Sequence, residues 1–186
     1  MREIEYELYR SSRRTISLQV KEDGTIIVRA PKRMAKRQID EFVLRNEEWI
    51  DNHIEKARLR QEKKENIGVL TDTELANLKY YAKIEIAKLV RELAPVVGVT
   101  YGRISIRAQK SRWGSCSREG NLNFNCLLML TPEEVRRYVV VHELCHRKEM
   151  NHSPKFWAEV EKVVPNYKEV RKWLKTQGGD IIMRLP

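Results

Sequence analysis

Long apolar runs are missing from this chain of 186 residues, where nothing approaches eighteen consecutive apolar positions. No membrane-spanning helix is therefore expected, and no membrane partner. The first residues, Met1 to Glu7, are charged, and no apolar h-region of a secretory signal follows them. The expected setting is the cytoplasm. Cysteine is scarce: Cys116, Cys126 and Cys145 are odd in number and never form a C-x-x-C pair. That excludes a disulfide framework and a cysteine-built structural zinc site. The thiols read as small buried hydrophobes, with a nucleophilic Cys116 as the sharper alternative. Internal repeats and low-complexity segments are absent as well.

What is present is the composition of a globular protein, 41% hydrophobic and 33% charged. The formal charge is +10, yet acids and bases alternate along most of the chain. One stretch departs from this. Between Tyr101 and Arg118 lie Arg103, Arg107, Lys110, Arg112 and Arg118 without a single acid, a candidate surface for nucleic acid.

The apolar pattern changes period along the chain, which predicts an α+β fold. Ile4, Tyr6 and Leu8 alternate, as do Ile16, Leu18 and Val20, and Asp23-Gly24 marks a hairpin turn before Ile26 to Val28. Two helices follow. The first carries Ile39, Phe42, Val43, Ile50, Ile54 and Ala57, after which the charged residues 58–66 dissolve the pattern. The second opens on a capping box from Thr71 to Glu74 and is expected to end at Pro95 and Gly98. The division expected is an N-terminal β-rich lobe with its helix over 1–66 and a core over 67–186. Strand character returns at Ile104 and Ile106, and residues 121–125 alternate asparagine with apolar residues. The asparagine face of that strand is a candidate edge for pairing with an extended peptide.

Thr131-Pro132 with Glu134 then predicts a capped helix running to about Met150. His142 and His146, four apart, share one face of it and are spaced to bind one Zn²⁺. Glu143 lies about 100° round the helix, placed to act on a water rather than to ligate. A third ligand is needed, and two candidates stand open. His152 reaches the site if the chain bends, with Asn151 adopting a left-handed conformation and Ser153-Pro154 restarting a helix. Glu149, one turn past His146, is the other, since His₂Glu sites exist. Three of the four histidines lie within these eleven residues, while the fourth, His53, sits on a charge-rich helix and reads as structural. Arg112, in the Arg-Trp-Gly-Ser turn, is a candidate donor for a developing oxyanion.

Ser111 to Ser117, Asn125, Tyr138 to His146 and Asn151 to Trp157 together resemble the YgjP-like metallopeptidase family, a relative of the SprT-like zincins. Ser12 to Ser17, Asp23 to Thr25, Val28 to Pro31 and Trp49-Ile50 extend the resemblance over nearly the whole chain. It implies a zincin-like core, with a small antiparallel or mixed sheet and an active-site helix. It also implies His142, His146 and His152 as zinc ligands, Glu143 as catalytic base, and a peptide or protein as substrate. SprT-like relatives include proteases that act on DNA-bound proteins, which gives the basic 101–118 stretch a second interest. The contrasting expectation is a nucleic-acid-associated binding protein whose metal site is structural or latent.

Overall fold

The computed structural model describes residues 4–186, an α+β chain of six helices and two three-stranded mixed sheets. It divides into two compact units, one ending at Ile67 and one spanning Gly68–Pro186.

In the first unit, β2 (Ser17–Val20) and β3 (Ile26–Pro31) form the antiparallel hairpin that Asp23-Gly24 announces. Gly24 takes φ +84°, and the Asp23 carboxylate accepts the Thr25 amide at 2.9 Å, which holds that carboxyl below its usual range. β1 (Glu7–Ser11) pairs parallel to the other side of β3, so the order is β1-β3-β2. Ile26, Val28 and Ala30 face the buried Ile39 and Val43 of α1 (Lys36–Arg45) and Ile50 of α2 (Glu47–Ile67). The charged stretch 58–66 departs from expectation, because it continues α2 rather than ending it. Arg58 pairs with Glu55 and Glu62, and Gln61 donates to Glu65, all at helical spacing. Losing the apolar period there signals lost burial, not lost helix, since Lys, Arg, Glu and Gln are strong helix formers.

The second unit opens with α3 (Asp72–Val97). The predicted capping box is in place: the Glu74 amide donates to Thr71 Oγ1, and Glu74 Oε2 accepts the Thr71 amide. Pro95 lies inside the last turn, and Gly98 at φ +77° closes the helix. Ala82, Ile86, Val90 and Leu93 of α3 pack with Leu122 and Phe124 of the sheet and Val139, Val140 and Leu144 of α4 (Glu133–Cys145). That sheet repeats the topology of the first: β4 (Ile104–Arg107) runs parallel to β6 (Leu122–Asn125), and β5 (Gly114–Cys116) runs antiparallel to it. The order β4-β6-β5 corrects one expectation. Residues 122–125 are paired on both sides, so the edges of the sheet are β4 and β5. The asparagines serve internal ends: Asn121 Oδ1 accepts the Arg103 amide and Asn123 donates to Ser115 Oγ.

Asn125 is fully buried and has the largest share of this polar work. Its Nδ2 donates to the carbonyls of Gln109 and Arg112 at 2.7 and 3.0 Å, while its Oδ1 accepts the Leu127 amide. The side chain ties the loop before β5 to the central strand and caps the 3-10 turn Cys126–Leu130. Replacing Asn125 with Leu fills similar volume but strands those three backbone groups. Chemical denaturation of Asn125→Leu should show a loss of about 2–4 kcal/mol; a value within about 0.5 kcal/mol of the parent would contradict the tether.

Candidate metal centre

α4 carries the site because it is buried along most of its length. Val139, Val140, Val141 and Leu144 face the core, and Glu143 and His146 are drawn in beside them. The helix starts differently from the sequence reading. Pro132 stands at the cap position without a side-chain bond, and the Thr131 hydroxyl donates backward to Leu128 at 2.8 Å. It also ends earlier, at Cys145 instead of about Met150. Beyond it the chain tightens, with the Arg147 and Lys148 amides donating to the Leu144 and Cys145 carbonyls. No described non-glycine residue has a positive φ, so Asn151 does not adopt the left-handed conformation expected of it. The bend instead runs through that tight turn and a 2.7 Å bond from the Ser153 amide to the Asn151 carbonyl. Ser153 then caps α5 (Pro154–Val163), its Oγ accepting the Phe156 amide, with Pro154 in the first turn as expected.

The bend brings His152 back over α4. His152 Nε2 lies 2.9 Å from His142 Nε2, and one nitrogen from each of His142, His146 and His152 falls within 4.8 Å of the others. The ring centroids form a near-equilateral triangle of 5.0, 4.9 and 4.8 Å, with the Phe156 ring 4.6–4.9 Å from all three. His146 Nδ1 lies 3.1 Å from the Glu149 carbonyl, which can only accept. The proton therefore sits on Nδ1, and the lone pair of Nε2 is left for the cluster. Glu149 thus enters through its backbone, and its carboxylate is not in the group.

The electrostatics suit a cation. Burial pushes His142 down to about 3, helped by the charges of His146, His152 and Arg171. His146 is lowered as well, chiefly by burial. Neutral imidazoles at ordinary pH are what a metal requires. His142 Nδ1 is buried without a partner. Three convergent imidazoles form a donor set that fits a divalent transition metal.

Glu143 sits beside the cluster, 5% exposed. Burial raises its carboxyl to about 8, opposed by the charge of Arg112. Its place exists because residue 114 is glycine: a Cβ there would lie 2.6 Å from Glu143 Oε1 and 2.7 Å from Cγ. The turn before β5, which the sequence marked without explaining, is thus shaped to admit the glutamate. Trp113 in the same turn rests on α6 (Tyr167–Met183), where a Cβ on Gly178 would meet it at 3.0 Å. The cysteines stand outside the group. Cys126 and Cys145 are buried, and burial raises all three thiols, Cys145 to about 11, which disfavours a nucleophilic thiolate at Cys116. His53 is also outside, stacked at 3.7 Å on Trp49.

A family model described as "YgjP-like, metallopeptidase domain" matches residues 14–75 and 75–177. The chain belongs to the YgjP-like metallopeptidase family. The metallopeptidase zymogen of Pyrococcus abyssi abylysin is 30% identical over 50% of this chain and 95% of its own, with a TM-score of 0.45. The metallopeptidase zymogen of Methanocaldococcus jannaschii jannalysin is 24% identical over the same shares, with a TM-score of 0.44. No curated protein matches. Among the described residues, no helix of this YgjP-like chain is long and apolar enough to cross a membrane.

Two parts of the site escaped the sequence reading. Phe156 and Trp157 were legible only as an apolar helix face, yet both contact the histidine rings. The Gly114–Glu143 contact joins residues far apart in sequence, and the one signal was a glycine between Trp113 and Ser115. Gly114→Ala should destabilise the protein by about 1–3 kcal/mol through this overlap. An unchanged thermal midpoint would show that Glu143 has room to spare.

Proposed function

We propose that this chain is a zinc-dependent peptidase in which His142, His146 and His152 hold the metal and Glu143 is the general base. The convergence of three imidazole nitrogens within 4.8 Å, with one buried carboxylate alongside, carries this reading. Structural zinc sites are closed by four protein ligands, whereas catalytic ones use three and keep a position open. Among the described residues the group holds three. Zn²⁺, when bound, would polarise the scissile carbonyl and acidify water.

The remaining work falls to the chain itself. Glu143 is held away from the ligand triangle by its helical position and by Gly114, so its carboxylate is free to take a proton at Oε and return it to the leaving amine. Burial alone disfavours the ionised carboxylate, and a dication in the neighbouring cluster offsets that cost. Arg112 is exposed on the tethered loop, and its charge acts on Glu143, which supports a role as donor to the developing oxyanion. An extended peptide would pair along the edge strand β5, whose first residue is Gly114.

Two experiments bear on this assignment. Glu143→Gln should keep about one zinc per chain and lose at least a hundredfold in peptide hydrolysis, the scale of general-base catalysis; wild-type turnover in that variant would remove Glu143 from the role. Metal analysis of His152→Ala should show zinc largely lost, while Glu149→Ala keeps it. Near-normal zinc in His152→Ala would mean that another group completes the site.

A further inference from the structure

Next to the histidine cluster stands a ladder of stacked rings that the reaction above leaves unused. Trp157 stacks on His152, with centroids 5.6 Å apart and planes 27° apart, and on Tyr167, at 5.2 Å and 12°. Over Trp157 lies the guanidinium of Arg171, 4.6 Å from the ring centroid. We propose that Arg171 forms a carboxylate-binding subsite beside the metal centre, taking an acidic side chain or the terminal carboxylate of the peptide to be cleaved. The proposal rests on the peptidase reading and narrows its substrate class.

Three observations support it. First, Arg171 is near enough for its charge to act on His142 and Tyr138, both on α4. Second, it is anchored by an aromatic face rather than by an acid. A guanidinium lying over a ring keeps its in-plane N–H groups available for a carboxylate, which it matches bidentately. Glu159, two residues past Trp157 on α5, is taken by Lys148 and Lys162. Third, Arg171 does not stand alone. Lys168, Arg171, Lys172 and Lys175 recur at i, i+3, i+4 and i+7 along α6, all exposed, and none joins an ion pair found among the described residues. With Arg112 beside Glu143, the centre is bordered by cations on more than one element, a field that draws anionic chains.

Binding to zinc-loaded Glu143→Gln protein tests this without turnover. Four labelled octapeptides would carry Glu or Gln at both residues flanking the central bond, each with a free or an amidated C-terminus. Fluorescence anisotropy at about 0.1 M salt leaves short-range contacts largely unscreened. Peptides bearing the favoured carboxylate should bind about tenfold or more tightly than the neutral peptide. The Glu-amide and Gln-acid arms show whether that carboxylate is a side chain or a terminus. Adding Arg171→Gln should abolish the preference and Arg171→Lys should restore part of it, while Lys172→Gln leaves most of it. Equal binding of all four peptides, no binding of any, or a preference that survives Arg171→Gln would overturn the subsite. Mass spectrometry with the wild-type enzyme separates the two readings. Carboxylate-selective binding without cleavage contradicts the peptidase and keeps the subsite; cleavage of all four peptides at one rate does the reverse.

Discussion

Burying a histidine and a glutamate side by side on one helix is costly unless something repays it, and the second unit is organised around that constraint. His142 keeps an unpartnered buried Nδ1, and burial holds its ring neutral. Glu143, its neighbour in sequence, is pressed against a glycine with its carboxyl raised to about 8. Each group alone would be a defect in a well-packed core. Placed beside two further imidazoles, they make a donor cluster of the right sign for a dication, and a bound metal would turn the penalty into binding. The surroundings follow from this. α3 and the sheet supply the apolar packing that keeps α4 dry, Asn125 fixes the loop that places Gly114, and the capped α5 returns His152 and seats Phe156 under the triad.

How much of this the sequence disclosed depends on whether the cause was local. The helical spacing of His142 and His146, the Ser153-Pro154 restart and the Thr71 capping box are local, and each appears where the residues indicate. The bend before His152 is legible in the sequence, but its form differs from the one the residues suggest. Asn151 is permissive of a left-handed turn, yet tight i→i+3 bonds after Leu144 make the turn without one. Charged residues 58–66 misled for a different reason, since apolar periodicity reports burial and helical ion pairs need none. Residues 121–125 are only a candidate edge in the sequence, because alternation shows that a strand has two faces and says nothing of its neighbours. Gly114 under Glu143 and Trp157 between His152 and Tyr167 are tertiary facts, and one sequence carries no trace of them beyond the residue types themselves.

The aromatic residues of α5 connect the packing to the chemistry. Phe156 is fully buried and its ring packs against all three imidazoles, so the apolar face that docks the helix also orients those rings. Trp157, one residue on, stands half-buried at the border and passes the stacking outward to Tyr167 and Arg171. Two adjacent residues of one helix thus face a buried wall and a cationic border. The family match covers this segment as well, since it runs through residue 177.

Anomalous diffraction at the zinc edge from a zinc-loaded crystal tests the central claim most directly. The account predicts one peak about 2.0–2.1 Å from a nitrogen of each of His142, His146 and His152, with the carboxylates of Glu143 and Glu149 outside the ligand distance. A peak elsewhere in the chain, or one ligated by Glu149 in place of His152, would contradict it.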